Sequence, residues 1–137
     1  MEQLTRSQLR EKIMTILYQI NVYSANKIEY QVDDIIKEVN PIDNEFVKDV
    51  VYGVVTKKEE LDELANKYLN KWTIDRLGNT DQSIIRLAIY ELLYTDTPGV
   101  VVINEALELA KSFSDDDVKN MINGILDKIY KDKVDHE

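Results

Sequence analysis

The sequence predicts an all-α fold of seven helices, and three observations point there. Four glycines and two prolines in 137 residues are too few for the many tight turns of an all-β chain. Apolar residues recur at three- and four-residue steps in one segment after another, with no sustained alternation. One segment, Asp81 to Tyr94, is apolar around most of its circumference, the pattern of a central buried helix.

The first segment runs from about Arg6 to Val22, with Leu9, Ile13, Ile16, Leu17 and Ile20 on one face. Thr5 and Gln8 have the spacing of a capping box at its start. The second covers Lys27 to Val39, aligning Ile28, Val32, Ile35, Ile36 and Val39, and Asn40-Pro41 ends it because the residue before proline avoids helical angles. The third starts near Ile42 and carries Phe46, Val47, Val50, Val51 and Val54, with Gly53 beside this stripe for close helix packing. Thr56 and Glu59 predict the start of a fourth, bearing Leu61, Leu64, Ala65, Tyr68 and Leu69.

A short helical turn from Thr73 to Leu77 follows, flanked by Trp72 and closed by Gly78. In the fifth helix only Arg86 and Glu91 interrupt the apolar surface, and charges in such a setting are rarely left unpaired. Asp96-Thr97-Pro98-Gly99 is a turn. Val100 to Ile103 alone fits a strand, but Ala106, Leu107, Ala110 and Phe113 continue it at helical spacing. Ser114 is the expected cap of a seventh helix with Val118, Met121, Ile122, Ile125, Leu126 and Ile129 inward, and the tail from Lys131 to Glu137 is expected to fray. With no repeat and no linker, residues 1–137 read as one domain.

Composition excludes several classes of function. No cysteine means no disulfide, thiolate metal site or cysteine nucleophile, which suits a reducing compartment. No stretch reaches the ~20 apolar residues of a membrane span, and Met1 to Arg10 lacks the apolar core of a signal peptide, so a cytoplasmic protein is expected. The single histidine, His136, reads as a solvated tail residue, and no GxxxxGK[ST] loop is present. Asp115, Asp116 and Asp117 suit the positive end of a helix dipole better than a magnesium site. Glu59, Glu60, Asp62 and Glu63 read as solvated helix surface. No cofactor, metal or enzymatic activity is expected.

A net charge of −9 disfavours non-specific adhesion to nucleic acid, so RNA binding would require a local basic patch or a basic partner. Arg6, Arg10 and Lys12 gather at the start of the first helix. Arg6 and Arg10, one turn apart, are either a phosphate clamp or a plain surface pair. Residue physics alone stops at a helical interaction domain.

The second half carries a more specific pattern. Trp72, Arg76-Leu77, Asp81, Ile84-Ile85-Arg86-Leu87-Ala88, Tyr90-Glu91-Leu92, Pro98, Val102-Ile103-Asn104-Glu105-Ala106, Glu108-Leu109-Ala110-Lys111, Phe113 and Asn123-Gly124-Ile125-Leu126-Asp127 follow one another in a single order and spacing. This run resembles the NusB family of bacterial transcription antitermination factors. Arg6, Arg10-Glu11 and Leu17-Tyr18-Gln19 fit the family's first helix, and Phe46, Val50 and Gly53-Val54 its third. The resemblance covers roughly Leu4 to Lys131. It implies two small helical bundles that bind the boxA element of nascent ribosomal RNA together with NusE, a small-subunit ribosomal protein, in an RNA polymerase antitermination complex.

By the same resemblance Arg6, Arg10 and Tyr18 on the first helix, and Asp117, Met121 and Asn123 near the seventh, fall on the RNA side, and Lys12 joins them as the basic neighbour of the two arginines. Tyr68, Asp75 and Asp81 fall where the family meets NusE. Each also has a plain structural reading: packing for Tyr18, a helix cap for Asp81, a neighbouring helix end for Asn123. The chain departs from its relatives at Ser7, Gln8 and Leu9, where they are richer in Arg and Ala. It also has Met121 in place of a usual Phe and Val118 in place of a usual Ser. These departures imply weaker RNA binding without the partner. Competing readings are a protein-binding module that never touches RNA, a homodimer, and an accessory domain like that preceding ribosomal RNA cytosine methyltransferases, against which the length of 137 residues speaks.

Overall fold

A capping box opens the first helix: Thr5 Oγ1 accepts from the Gln8 amide at 3.1 Å while the Thr5 amide donates to Gln8 Oε1 at 2.8 Å. The structure, a computed structural model, describes residues 3–134, so His136 lies outside the described residues. They form α1 (Arg6–Ala25), α2 (Val32–Val39), α3 (Glu45–Thr56), α4 (Lys58–Tyr68), a 3₁₀ turn (Ile74–Arg76), α5 (Asn79–Tyr94), α6 (Gly99–Phe113) and α7 (Asp116–Ile129). A π-type turn, Tyr130–Val134, continues α7 where fraying was expected from Lys131. No strand occurs among the described residues.

The expected helices are all present, and the differences lie at their ends. Helix α2 starts at Val32 rather than Lys27, because Lys27 takes a left-handed φ of 57° that closes α1, and Ile28 is left in solvent. Helix α3 starts at Glu45 rather than Ile42, because Asn44 supplies the cap, its Oδ1 accepting from the Val47 amide at 3.0 Å. Thr56 does not cap α4: α3 runs through it, and Lys57 alone separates the two helices. Ser114 does not cap α7 either. Asp115 Oδ1 does so, accepting from the Val118 amide at 2.9 Å, with Asp116 and Asp117 in the first turn.

Helix α5 is the axis. From Gln82 to Leu92 every residue but Tyr90 is buried, and α1, α3, α4, α6 and α7 all pack on it. Helices α1, α2 and α3 form one bundle against α5, and α4, α6 and α7 form the second against its other faces. Ile13, Ile16, Val47, Leu61, Ile84, Ile85, Ile89, Ile122 and Leu126 are fully buried in the resulting core. Burying an aliphatic chain of this size contributes about 1.5–3 kcal/mol each.

Gly53 has the packing role its position implies, since a Cβ there would collide with the Tyr90 ring across the α3–α5 contact. Gly53→Ala should therefore destabilise the protein by about 1–3 kcal/mol, despite alanine's better helix propensity. Urea denaturation checks this, and an unchanged or raised midpoint would contradict the close approach.

Candidate functional site

The two charges on α5 are both paired, and one partner is unexpected. Arg10, placed on the RNA side by resemblance, points inward. Its Nε donates to Glu91 Oε2 at 2.7 Å and its Nη2 to Glu91 Oε1 at 2.8 Å, a bidentate fork. Its Nη1 reaches Glu105 Oε1 on α6 at 3.3 Å, and the Ser7 hydroxyl donates to the same oxygen at 2.6 Å. Arg10 is 5% exposed and Glu91 1%. The hydrogen bond to Glu91 is the main reason that the guanidinium is held above its ordinary pKa, with burial opposing. The Arg6–Arg10 clamp is thus corrected: a guanidinium forked on a buried carboxylate and only 5% exposed does not present its face to solvent, where a phosphate would sit.

Arg6 is the residue of that pair left outside. Its guanidinium lies 4.0 Å from the centroid of the Phe46 ring, a cation–π contact from the start of α1 to the first turn of α3. Arg6 is exposed and enters no ion pair among the described residues. Lys12 is half-buried and donates to the Val39 carbonyl at 3.2 Å, fastening α1 to the end of α2. Tyr18 is 42% exposed on the stripe of α1 that carries Ser7 and Glu11.

On α7, Asp117 and Asn123 are exposed and Met121 is half-buried. Met121 lines a cleft of about 390 Å³ between α7 and the chain leaving α4, together with Tyr68, Lys71, Trp72, Gly124 and Lys128. One residue assigned to RNA and one assigned to the partner therefore meet in a single cleft. Tyr68 donates from its hydroxyl to Asp132 Oδ2 at 2.7 Å, which raises the phenol's pKa. Asp75 is exposed on the 3₁₀ turn and accepts from the Thr73 hydroxyl. Asp81, in the first turn of α5, accepts from the Ser114 hydroxyl at 2.7 Å and so ties that turn to the α6–α7 corner.

Sequence reasoning missed Glu105 and Phe46 as partners of the α1 arginines, and Lys71, Gly124 and Lys128 as walls of the cleft. The need for a partner at Glu91 was visible in its apolar neighbours, but nothing in the sequence said which of the cations in reach would turn inward. Arg86 is held similarly, forked on Asp62 at 2.7 and 3.0 Å with a third bond to Asn21 Oδ1 at 3.0 Å. Among the described residues no group of three or more His, Cys, Asp or Glu side chains is placed to hold a metal, and no helix is long and apolar enough to cross a membrane.

A model of the NusB family matches residues 7–131. The transcription antitermination protein NusB of Macrococcus caseolyticus (strain JCSC5402) is 39% identical over 132 residues, covering 95% of this chain and 99% of that one. The corresponding protein of Staphylococcus aureus (strain Newman) is 42% identical over 129 residues, covering 93% and 100%. Among solved structures, T. maritima NusB superposes with a TM-score of 0.82 at 30% identity, over 96% of this chain and 94% of that chain. A crystal structure of the antitermination factors NusB and NusE in complex with double-stranded RNA contains a chain that matches with a TM-score of 0.78 at 29% identity, over 92% and 96%.

Arg10→Ala should destabilise the fold by about 3–5 kcal/mol, because it leaves Glu91 buried and unpaired. Arg6→Ala should lose under about 1 kcal/mol. Thermal and urea unfolding of the two variants side by side give the comparison, and equal losses would refute the inward placement of Arg10.

Proposed function

The chain belongs to the NusB family, and from that membership we propose that it is a transcription antitermination factor acting with NusE on boxA-type RNA of nascent ribosomal RNA transcripts, within an RNA polymerase antitermination complex in the cytoplasm. The observation that carries the reading is the likeness, over 92% of the chain, to a NusB crystallised with NusE and RNA. In this reading Arg6 contacts a phosphate, and Tyr18, Met121 and Asn123 contact bases or ribose. Asp117, a carboxylate at the same face, accepts from base amino or ribose hydroxyl groups. Tyr68, Asp75 and Asp81 face NusE, with Asp81 oriented by the Ser114 hydroxyl. Arg10 and Lys12 act indirectly, by fixing α1 against α5 and α2.

The charge supports a shared grip. With a net charge of −9 and Arg10 turned inward, Arg6 is the cation at the start of α1 left for phosphate, so NusE must supply others. Met121 stands where relatives carry a ring, and base stacking on an aromatic ring is worth ~1–3 kcal/mol. Affinity for boxA RNA should therefore rise at least about tenfold when NusE is added. Titration of labelled RNA with and without NusE tests this: equal affinities remove the dependence, and no binding even with NusE sinks the function.

Arg6→Ala in the NusE complex should weaken RNA binding and reduce the slope of log affinity against log salt by about 1. A variant with the parent's slope would show that Arg6 touches no phosphate.

A further inference from the structure

We propose that the cleft between α7 and the segment joining α4 to the 3₁₀ turn is a stacking subsite for an unpaired RNA base, with Trp72 as its platform. The inference rests on the RNA-binding reading above and adds a site to it. Trp72 is 54% exposed, an unusual position for so large an aromatic surface unless something covers it. The cleft's volume of about 390 Å³ falls within the range of small-ligand pockets.

Charge identifies the occupant. Lys71 and Lys128 line this cleft and no carboxylate does. The clefts around Arg6 carry Asp43 and Glu45 on one side and Asp49 and Asp96 on the other, and the groove between α1 and α6 carries Glu11, Glu105 and Glu108. In a protein of net charge −9, an aromatic cleft lined by two lysines, its neighbouring carboxylate Asp132 engaged by the Tyr68 hydroxyl, fits a base flanked by phosphates.

Gly124 is the second, independent observation. It sits in the interior of α7, where glycine weakens a helix relative to alanine, yet a Cβ built there meets nothing within 4 Å. The fold does not need this glycine. Met121 and Lys128 lie one turn to either side on the same face. Gly124, Trp72 and Met121 all line the cleft, and the missing side chain leaves open space there in which a base can lie against the indole.

Trp72 is the chain's sole tryptophan, so its fluorescence reports on the site. The probe is a single-stranded boxA-type RNA titrated into the full chain bound to NusE, with the Trp72→Phe complex as blank. Fluorescence should be quenched as RNA saturates, Trp72→Ala should weaken binding about tenfold, and Trp72→Phe should weaken it less. Gly124→Leu should leave the melting temperature undiminished while weakening RNA binding about tenfold, a split that a purely structural glycine would not give. Unchanged fluorescence at saturation, or parental affinity in Gly124→Leu, overturns the subsite while the parent function stands. A fluorescence change on NusE alone with none added by RNA assigns the cleft to the protein partner and overturns the proposal. Absence of RNA binding by the unmodified complex removes both.

Discussion

The structure turns on one buried ion pair. Glu91 lies on the helix that every other helix except α2 packs against, at 1% exposure, and a lone carboxylate there would carry a desolvation penalty of several kcal/mol. Arg10 removes most of that penalty with a two-bond fork, then reaches Glu105 with its remaining terminal nitrogen. The effect is positional as much as energetic. Two parallel N–H···O bonds admit one orientation of the guanidinium plane, so α1 cannot rotate or slide on α5 without breaking them. Ser7, sharing Glu105 Oε1, fixes the same turn of α1 against α6. That registration brings Arg6, one turn earlier, over the Phe46 ring and into solvent. An interior salt bridge thus sets where an exterior cation stands.

The same pair shows how far the sequence could be read. Helix number and the identity of the central helix were legible, because amphipathic periodicity records which face meets the core and α5 has almost no polar face. Gly53 was legible for a similar reason: a glycine on an apolar stripe implies a close neighbour, and Tyr90 is that neighbour. Helix ends were less so. Thr56 and Ser114 have the right chemistry for caps, but a cap depends on backbone angles, and Asn44 and Asp115 adopt them instead. Least legible was the direction of long side chains. Arg6 and Arg10 are equivalent in composition and a single turn apart, and only the location of Glu91, 81 residues along the chain from Arg10, separates an interior strut from an exposed contact.

Charge is therefore partitioned in a way that composition hides. Of 17 Lys and Arg residues, Arg10 and Arg86 are buried against Glu91 and Asp62 and serve the core alone. Lys12 caps the end of α2 through the Val39 carbonyl. At the start of α1, then, Arg10 is withdrawn from the surface, Lys12 is half-buried and Arg6 stands exposed. A chain of net charge −9 built this way has little electrostatic attraction for RNA by itself, and under the proposed function the long-range steering of the encounter falls to NusE. The dependence on NusE proposed above would then be a consequence of how the fold satisfies its own buried carboxylates.

What remains for this chain to contribute is shape. The residues that the family likeness assigns to RNA and to NusE do not sit on opposite sides of the molecule, since Met121 and Tyr68 share the walls of one cleft. Asp81, through Ser114, braces the corner from which α7 departs, so the first turn of α5 and the start of α7 are mechanically joined. A ligand that orders one of these elements reduces the freedom the other must lose on binding, which is a route to positive coupling without any change of fold. In the proposed function, an acidic bundle strengthens a basic partner's hold on RNA in this way: the partner supplies the field, and the bundle supplies a rigid corner against which both ligands are ordered.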